Sequence, residues 1–94
     1  MNVLICVGLM ININSERGST AMIKLIDEIY IELEWARLQH PDYHSAHEGY
    51  AVILEELDEL WDEVKADGPK DRMRAEAIQV AATAIRFIQD VCDD

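Results

Sequence analysis

Hydrophobic residues recur along this chain with two different periods. In the N-terminal piece, Val3, Ile5, Val7, Leu9, Ile11 and Ile13 occupy every second position and are rich in β-branching. That alternation predicts a short strand. A lone strand has no stability of its own, so it would pair with its copy in a dimer or lie against the rest of the chain. The same piece also reads as an unstructured extension upstream of Met22. The polar stretch Asn14-Ser15-Glu16-Arg17-Gly18-Ser19 reads as a turn. The chain thus divides into an extension over residues 1–18 and a helical domain over 19–94.

Past Ser19 the apolar period becomes helical. A first helix is predicted from Ser19 or Thr20 to about Leu38, with Met22, Ile26, Ile29, Leu33 and Ala36 as its apolar stripe and Glu28, Glu32 and Arg37 pointing elsewhere. Pro41 breaks it. Ser45-Ala46-His47-Glu48 matches a capping box and opens a second helix. Its predicted apolar face is Tyr50, Ile53, Leu54, Leu57, Trp61 and Val64, and Gly68-Pro69 is its stop. A third helix is predicted from about Asp71, as N-cap, to about Val91. Its apolar residues (Ile78, Val80, Ala81, Ala82, Ile85, Phe87, Ile88, Val91) run nearly all the way round, and a helix apolar on all sides is covered on several. One chain offers only two other helices. The expected architecture is therefore all-α, a bundle of three helices per chain completed by oligomerisation into a four-helix-bundle-like core.

At 94 residues the chain makes one domain with a modest core. Its net charge of −11 argues against nucleic acid and anionic membranes as partners. The apolar run over 3–13 is shorter than the roughly 20 residues that span a bilayer. No Lys or Arg precedes Arg17 and no small-residue cleavage pattern is evident, so a secretory signal is not expected. Cys6 and Cys92 fit no metal or redox motif and read as buried free thiols of a cytoplasmic protein.

The candidate chemistry lies in carboxylates. Glu55, Glu56 and Glu59 read Glu-Glu-x-x-Glu in the second helix, and Glu76-x-x-Gln79 follows in the third. Residues three or four apart lie side by side on a helix. Two helices presenting oxygens to a common space can hold a hard cation such as Mg²⁺, which can bind a phosphate chain. The bland reading is a solvated face: Glu48, Glu55 and Glu59 lie within about 40° on a helical wheel at 100° per residue. Against it, packing like charges costs stability, and Glu76 sits within an otherwise apolar stretch where a carboxylate needs a partner. That partner would be a cation, or else Arg72 or Arg74. Lys65, Lys70, Arg72, Arg74 and Arg86 are read as a basic group around the turn between the acidic helices, with Lys70 and Arg72 as candidate phosphate contacts. His44, His47 and Glu48 do not share a face, which excludes a zinc-protease motif. Trp35 and Trp61 could stack on a base, although Trp61 reads better as core.

Glu55-Glu56-x-x-Glu59 followed by Glu76-x-x-Gln79 resembles the MazG-like all-α nucleoside triphosphate pyrophosphohydrolases, whose pattern is Glu-Glu-x-x-Glu, a gap, then Glu-x-x-Asp. The resemblance covers residues 44 to 91 and is strongest over His47–Glu56. It implies that Glu55, Glu56, Glu59 and Glu76 bind Mg²⁺, with Mn²⁺ able to substitute, and that Glu55 and Glu59 serve catalysis. It also implies a water attacking the α-phosphorus of a nucleotide, release of a nucleoside monophosphate and pyrophosphate, and a homodimer or homotetramer. Gln79 stands where the family has Asp, which removes one negative charge from the metal set. The alternative is a catalytically degenerate helical dimer of the same scaffold acting as a binding or interaction module.

Overall fold

The computed structural model describes residues 16–93, and the strand expected over residues 3–13 lies outside them. The described chain is all-α. Helix α1 spans Glu16–Gln39, α2 Ala46–Lys65 and α3 Lys70–Phe87, and α3 runs on into a π-helical turn, Ile88–Cys92. No helix among the described residues is long and apolar enough to cross a membrane. Helix α1 begins a few residues before Ser19, so part of the expected turn is helical instead.

Helix α3 is the centre. Both α2 and α1 pack along it, while α1 and α2 barely meet each other. This explains why the apolar residues of α3 are spread round its axis: two neighbours cover two of its sides. Leu33, Ile78 and Ala82 are buried where the helices meet, and Tyr43 from the α1–α2 connection joins them. Ile26, expected in the α1 stripe, is exposed, whereas Leu33 is 5% exposed.

The face of α2 differs from the expected one. Tyr50, Leu54, Leu57, Trp61 and Val64 face outward. Gly49, Val52, Ile53, Glu56, Leu60 and Glu63 turn inward instead. The most apolar stripe is thus not the one that meets α3. Trp61 is 55% exposed and is not a core residue of the single chain.

Helix ends follow local chemistry. Ser45 is the N-cap of α2 and its hydroxyl accepts from the Glu48 N–H at 3.1 Å. The Glu48 carboxylate reaches back one residue further than expected, accepting from the His44 N–H at 3.3 Å. At the other end the Gly68 N–H donates to the Glu63 carbonyl and the Asp67 N–H to the Val64 carbonyl, a Schellman pattern. The left-handed residue in it is Asp67, at φ 52°, rather than Gly68. A Cβ at Gly68 would lie 2.5 Å from Glu63 Oε1, the flexible tip of that side chain, and 3.2 Å from the Glu63 carbonyl oxygen, so a substitution here asks mainly that the Glu63 carboxylate move aside. The N-cap of α3 is Pro69, and Asp71 sits in its first turn.

The start of α2 is fitted to α3 by Gly49. A Cβ at this position would meet the Phe87 ring at 2.6 Å and the Tyr43 ring at 3.0 Å. Gly49→Ala is expected to destabilise the fold by about 1–3 kcal/mol, the usual cost of overpacking, as read from chemical denaturation. An unchanged or raised midpoint would mean that the rings move aside freely.

The α1–α2 connection is locked to the end of α3 by one arginine. Arg37 donates to Asp42 at 3.0 Å, to Asp90 at 2.9 Å and to Gln89 at 2.6 Å. Asp90 also accepts from the Tyr43 N–H at 3.1 Å. Burial pushes the Asp90 carboxyl up, but the Arg37 and Tyr43 hydrogen bonds and the Arg37 and Arg86 charges outweigh it and hold it below its usual range.

Candidate metal centre

Three of the predicted carboxylates come together. Glu56 and Glu59 of α2 and Glu76 of α3 each place an oxygen within 4.8 Å of the others. One helical turn separates Glu56 from Glu59, and the close packing of α2 on α3 brings Glu76 opposite. Glu56 and Glu76 are half-buried, while Glu59 is exposed. Glu55 is not in this group. It is exposed and lines a neighbouring cavity with Tyr43 and Glu48.

The electrostatics are those of an uncompensated anionic cluster. Burial, then hydrogen bonding to Glu59, then the charges of Glu59, Glu76 and Glu55 push the Glu56 carboxyl up to about 7. Glu76 is raised by burial and by Glu59 and Glu63. Among the described residues no basic side chain pairs with any of the three. Arg72 pairs with Glu63 at 3.9 Å, and Arg74 pairs with Glu28 of α1. Both basic partners considered for Glu76 are therefore engaged elsewhere. Three convergent carboxylate oxygens without a cationic partner are a donor set that suits a hard divalent cation.

Gln79 points to α1. Its Nε2 donates to Glu32 Oε2 at 2.6 Å. Because an ionised carboxylate only accepts, this bond fixes the amide's orientation. Gln79 Oε1 then has no hydrogen-bond partner among the described residues and remains a neutral oxygen one turn from Glu76.

The basic residues do not form one group. Lys70 and Arg72 do lie at the α2–α3 turn, exposed. Arg86 is about 24 Å further along α3 at 1.5 Å per residue, and it is buried, at 3% exposure. Sequence reasoning also passed over Glu32, which sits off the apolar stripe of α1 and gives no periodic signal. Arg86 did give one, as the single cation within the apolar run Val80–Ile88. Cys92 is exposed, not buried, and Cys6 lies outside the described residues.

No protein-family model matches this chain, and neither does any curated protein or solved structure.

Proposed function

We propose that this protein is a Mg²⁺-dependent nucleoside triphosphate pyrophosphohydrolase of the MazG-like type, releasing nucleoside monophosphate and pyrophosphate. The observation that carries the reading is the trio Glu56, Glu59 and Glu76, drawn from two adjacent helices and left without a basic partner. These residues would hold the cation, with Gln79 Oε1 the nearest neutral oxygen. Bound Mg²⁺ would neutralise the phosphate chain and acidify water. Glu59, the solvent-facing member, would take the proton of a water attacking the α-phosphorus as the bond to the leaving pyrophosphate breaks. Glu55, at the rim, adds negative charge that favours a cation beside Glu56. Lys70 and Arg72 stand at the open end of the acidic helices, where the phosphate chain would leave the cluster.

The test is direct. Purified protein incubated with the common and damaged nucleoside triphosphates and Mg²⁺ is expected to release pyrophosphate and monophosphate in equal amounts. Release from none of them overturns the reading.

A homodimer belongs to the same proposal. Tyr50, Leu54, Leu57, Trp61 and Val64 follow alternating steps of four and three residues, the spacing of a helix–helix seam, and all are exposed in the single chain. Exposed apolar stripes of this length are uncommon on monomers. Trp61→Glu is expected to weaken self-association at least about 30-fold, the effect of a roughly 2 kcal/mol hot spot, in sedimentation equilibrium. An unchanged association constant would remove α2 from the interface.

The second reading is a non-catalytic helical dimer. It is favoured by the Gln79 amide, which is spent on Glu32 and brings no charge to the site. Activity appearing only in Gln79→Asp would favour this reading; activity in the unaltered protein rejects it.

A further inference from the structure

Helix α1 turns a second apolar face to solvent. Ile23, Tyr30, Ile31, Trp35 and Leu38 are all exposed, Leu38 to 81%. Tyr30, Ile31, Trp35 and Leu38 line a shallow surface groove of about 560 Å³ with Glu32 and Glu34. This face differs from the narrow seam of α2. At 100° per residue its apolar side chains spread over about 140° of the helix, and the exposed Asp27 and Glu34 fall in their midst. A second α1 laid on it, parallel or antiparallel, would set these carboxylates against their copies, and like charges across an interface are costly. The face therefore suits an occupant that is elongated, apolar and free of negative charge.

The chain carries one such segment. Residues 1–15 contain no Asp, Glu, Lys, Arg or His, in a protein of net charge −11, and from Val3 to Ile13 only Gly8 and Asn12 are not apolar. A run of that kind left in water is an aggregation hazard. It ends directly before α1, which begins at Glu16, and Asn14 and Ser15 are residue types suited to a reversal of direction. At about 3.3 Å per residue, an extended Val3–Ile13 spans about 33 Å. Glu16 to Leu38 on α1, at about 1.5 Å per residue, also spans about 33 Å. The alternation of Val3, Ile5, Val7, Leu9, Ile11 and Ile13 gives an extended segment one continuous apolar side. Its free backbone N–H groups are donors that the carboxylates of Asp27 and Glu34 can accept.

We propose that residues 3–13 fold back along the outer face of α1 and cover it, antiparallel to the helix, with their odd-numbered side chains on Tyr30, Ile31, Trp35 and Leu38. In this register Cys6 comes within about one helical turn of Glu34. The covering is independent of the chemistry proposed for the carboxylate trio.

Two measurements on the full chain test it. Cys92→Ser leaves Cys6 as the one thiol. Glu34→Cys adds a second at the groove, and Asp58→Cys, exposed on α2, is the control. With a short bismaleimide, the Glu34→Cys protein is expected to form an intramolecular bridge and the Asp58→Cys protein none. Separately, Trp61→Phe leaves Trp35 as the one tryptophan. Adding Ile5→Asp and Leu9→Asp to that chain is expected to shift Trp35 emission to the red and to raise its quenching by acrylamide, with the helices unchanged by circular dichroism. Covalent dimers from Glu34→Cys would give the face to a second copy and overturn the proposal. Bridging from both positions alike would overturn it too, since the segment would then have no fixed seat. If Cys6 does not react, the tryptophan readout decides alone, and Trp35 emission and quenching unchanged by the two aspartates overturn the proposal.

Discussion

Glu59→Gln is expected to lower pyrophosphate release by about 10²–10⁴-fold, the range for losing a positioned proton acceptor, while leaving the helices intact. The two sides of this expectation have the same origin. Glu59 is the exposed member of the trio, so an isosteric amide there opens no cavity and can still hydrogen-bond to Glu56 and Glu76. It also removes a like charge from beside Glu56 and Glu76, both of which feel Glu59. Relief of one such repulsion is worth about 0.5 kcal/mol, or some 2–4 °C for a domain of this size. The metal-free variant should therefore melt slightly higher than the parent at pH 8, while turning over far more slowly. Initial rates and a thermal melt on the same preparation decide it. Full activity in a folded Glu59→Gln would remove this residue from the chemistry. Lost activity with a lowered melting point would assign Glu59 a structural role instead.

The parts of this protein legible in its sequence are those governed by local chemistry. Three helices, the break at Pro41 and the cap at Ser45 follow from spacing and from single residues with one strong preference. The carboxylate group was legible only in part: the sequence offered Glu55, Glu56 and Glu59 alike opposite Glu76, with Glu55 and Glu59 on one face, and the structure brings together Glu56, Glu59 and Glu76. What spacing cannot supply is the choice between two faces of one helix. Helix α2 has a tight apolar stripe and a mixed face, and hydrophobicity alone selects the stripe for the core. The mixed face packs on α3 because Gly49 allows Tyr43 and Phe87 to approach, and that is a tertiary fact. The same rotation separates Glu55 from the trio.

Long-range pairing was the other illegible part. Arg72 and Arg74 were plausible partners for Glu76 from proximity in sequence, yet each is taken by a residue from another helix. Gln79 was read against a metal, whereas its nitrogen belongs to Glu32 of α1. Polar side chains on a central helix serve whichever neighbour arrives, and no single-helix pattern records which one that is.

Stability of the metal-free protein is expected to fall as pH rises from about 4.5 to about 7, and Mg²⁺ is expected to reverse that fall. Burial and the neighbouring carboxylates of Glu59, Glu76 and Glu55 push the Glu56 carboxyl in the folded chain from the usual glutamate range up to about 7. The folded state therefore holds more protons than the unfolded state across this interval, and linkage makes stability decrease with pH there. The contribution is complete below 4.5 and lost above 7. Glu76, also raised, acts in the same direction. Asp90, held low, acts oppositely, but only at more acid pH. A divalent cation on the trio requires the ionised carboxylates, so it competes with protons and releases them on binding. At pH 8, Mg²⁺ at a hundred times its dissociation constant should stabilise the fold by about 2.7 kcal/mol. At pH 5 the same concentration should do far less, because Glu56 is protonated. Thermal melts at pH 5, 6, 7 and 8 with and without Mg²⁺ provide the full surface. A metal-free midpoint that rises across this range would contradict the crowding of the three carboxylates. A midpoint that falls as expected but ignores Mg²⁺ at pH 8 would keep the crowding and deny the cation, because repulsion alone is then what the trio contributes.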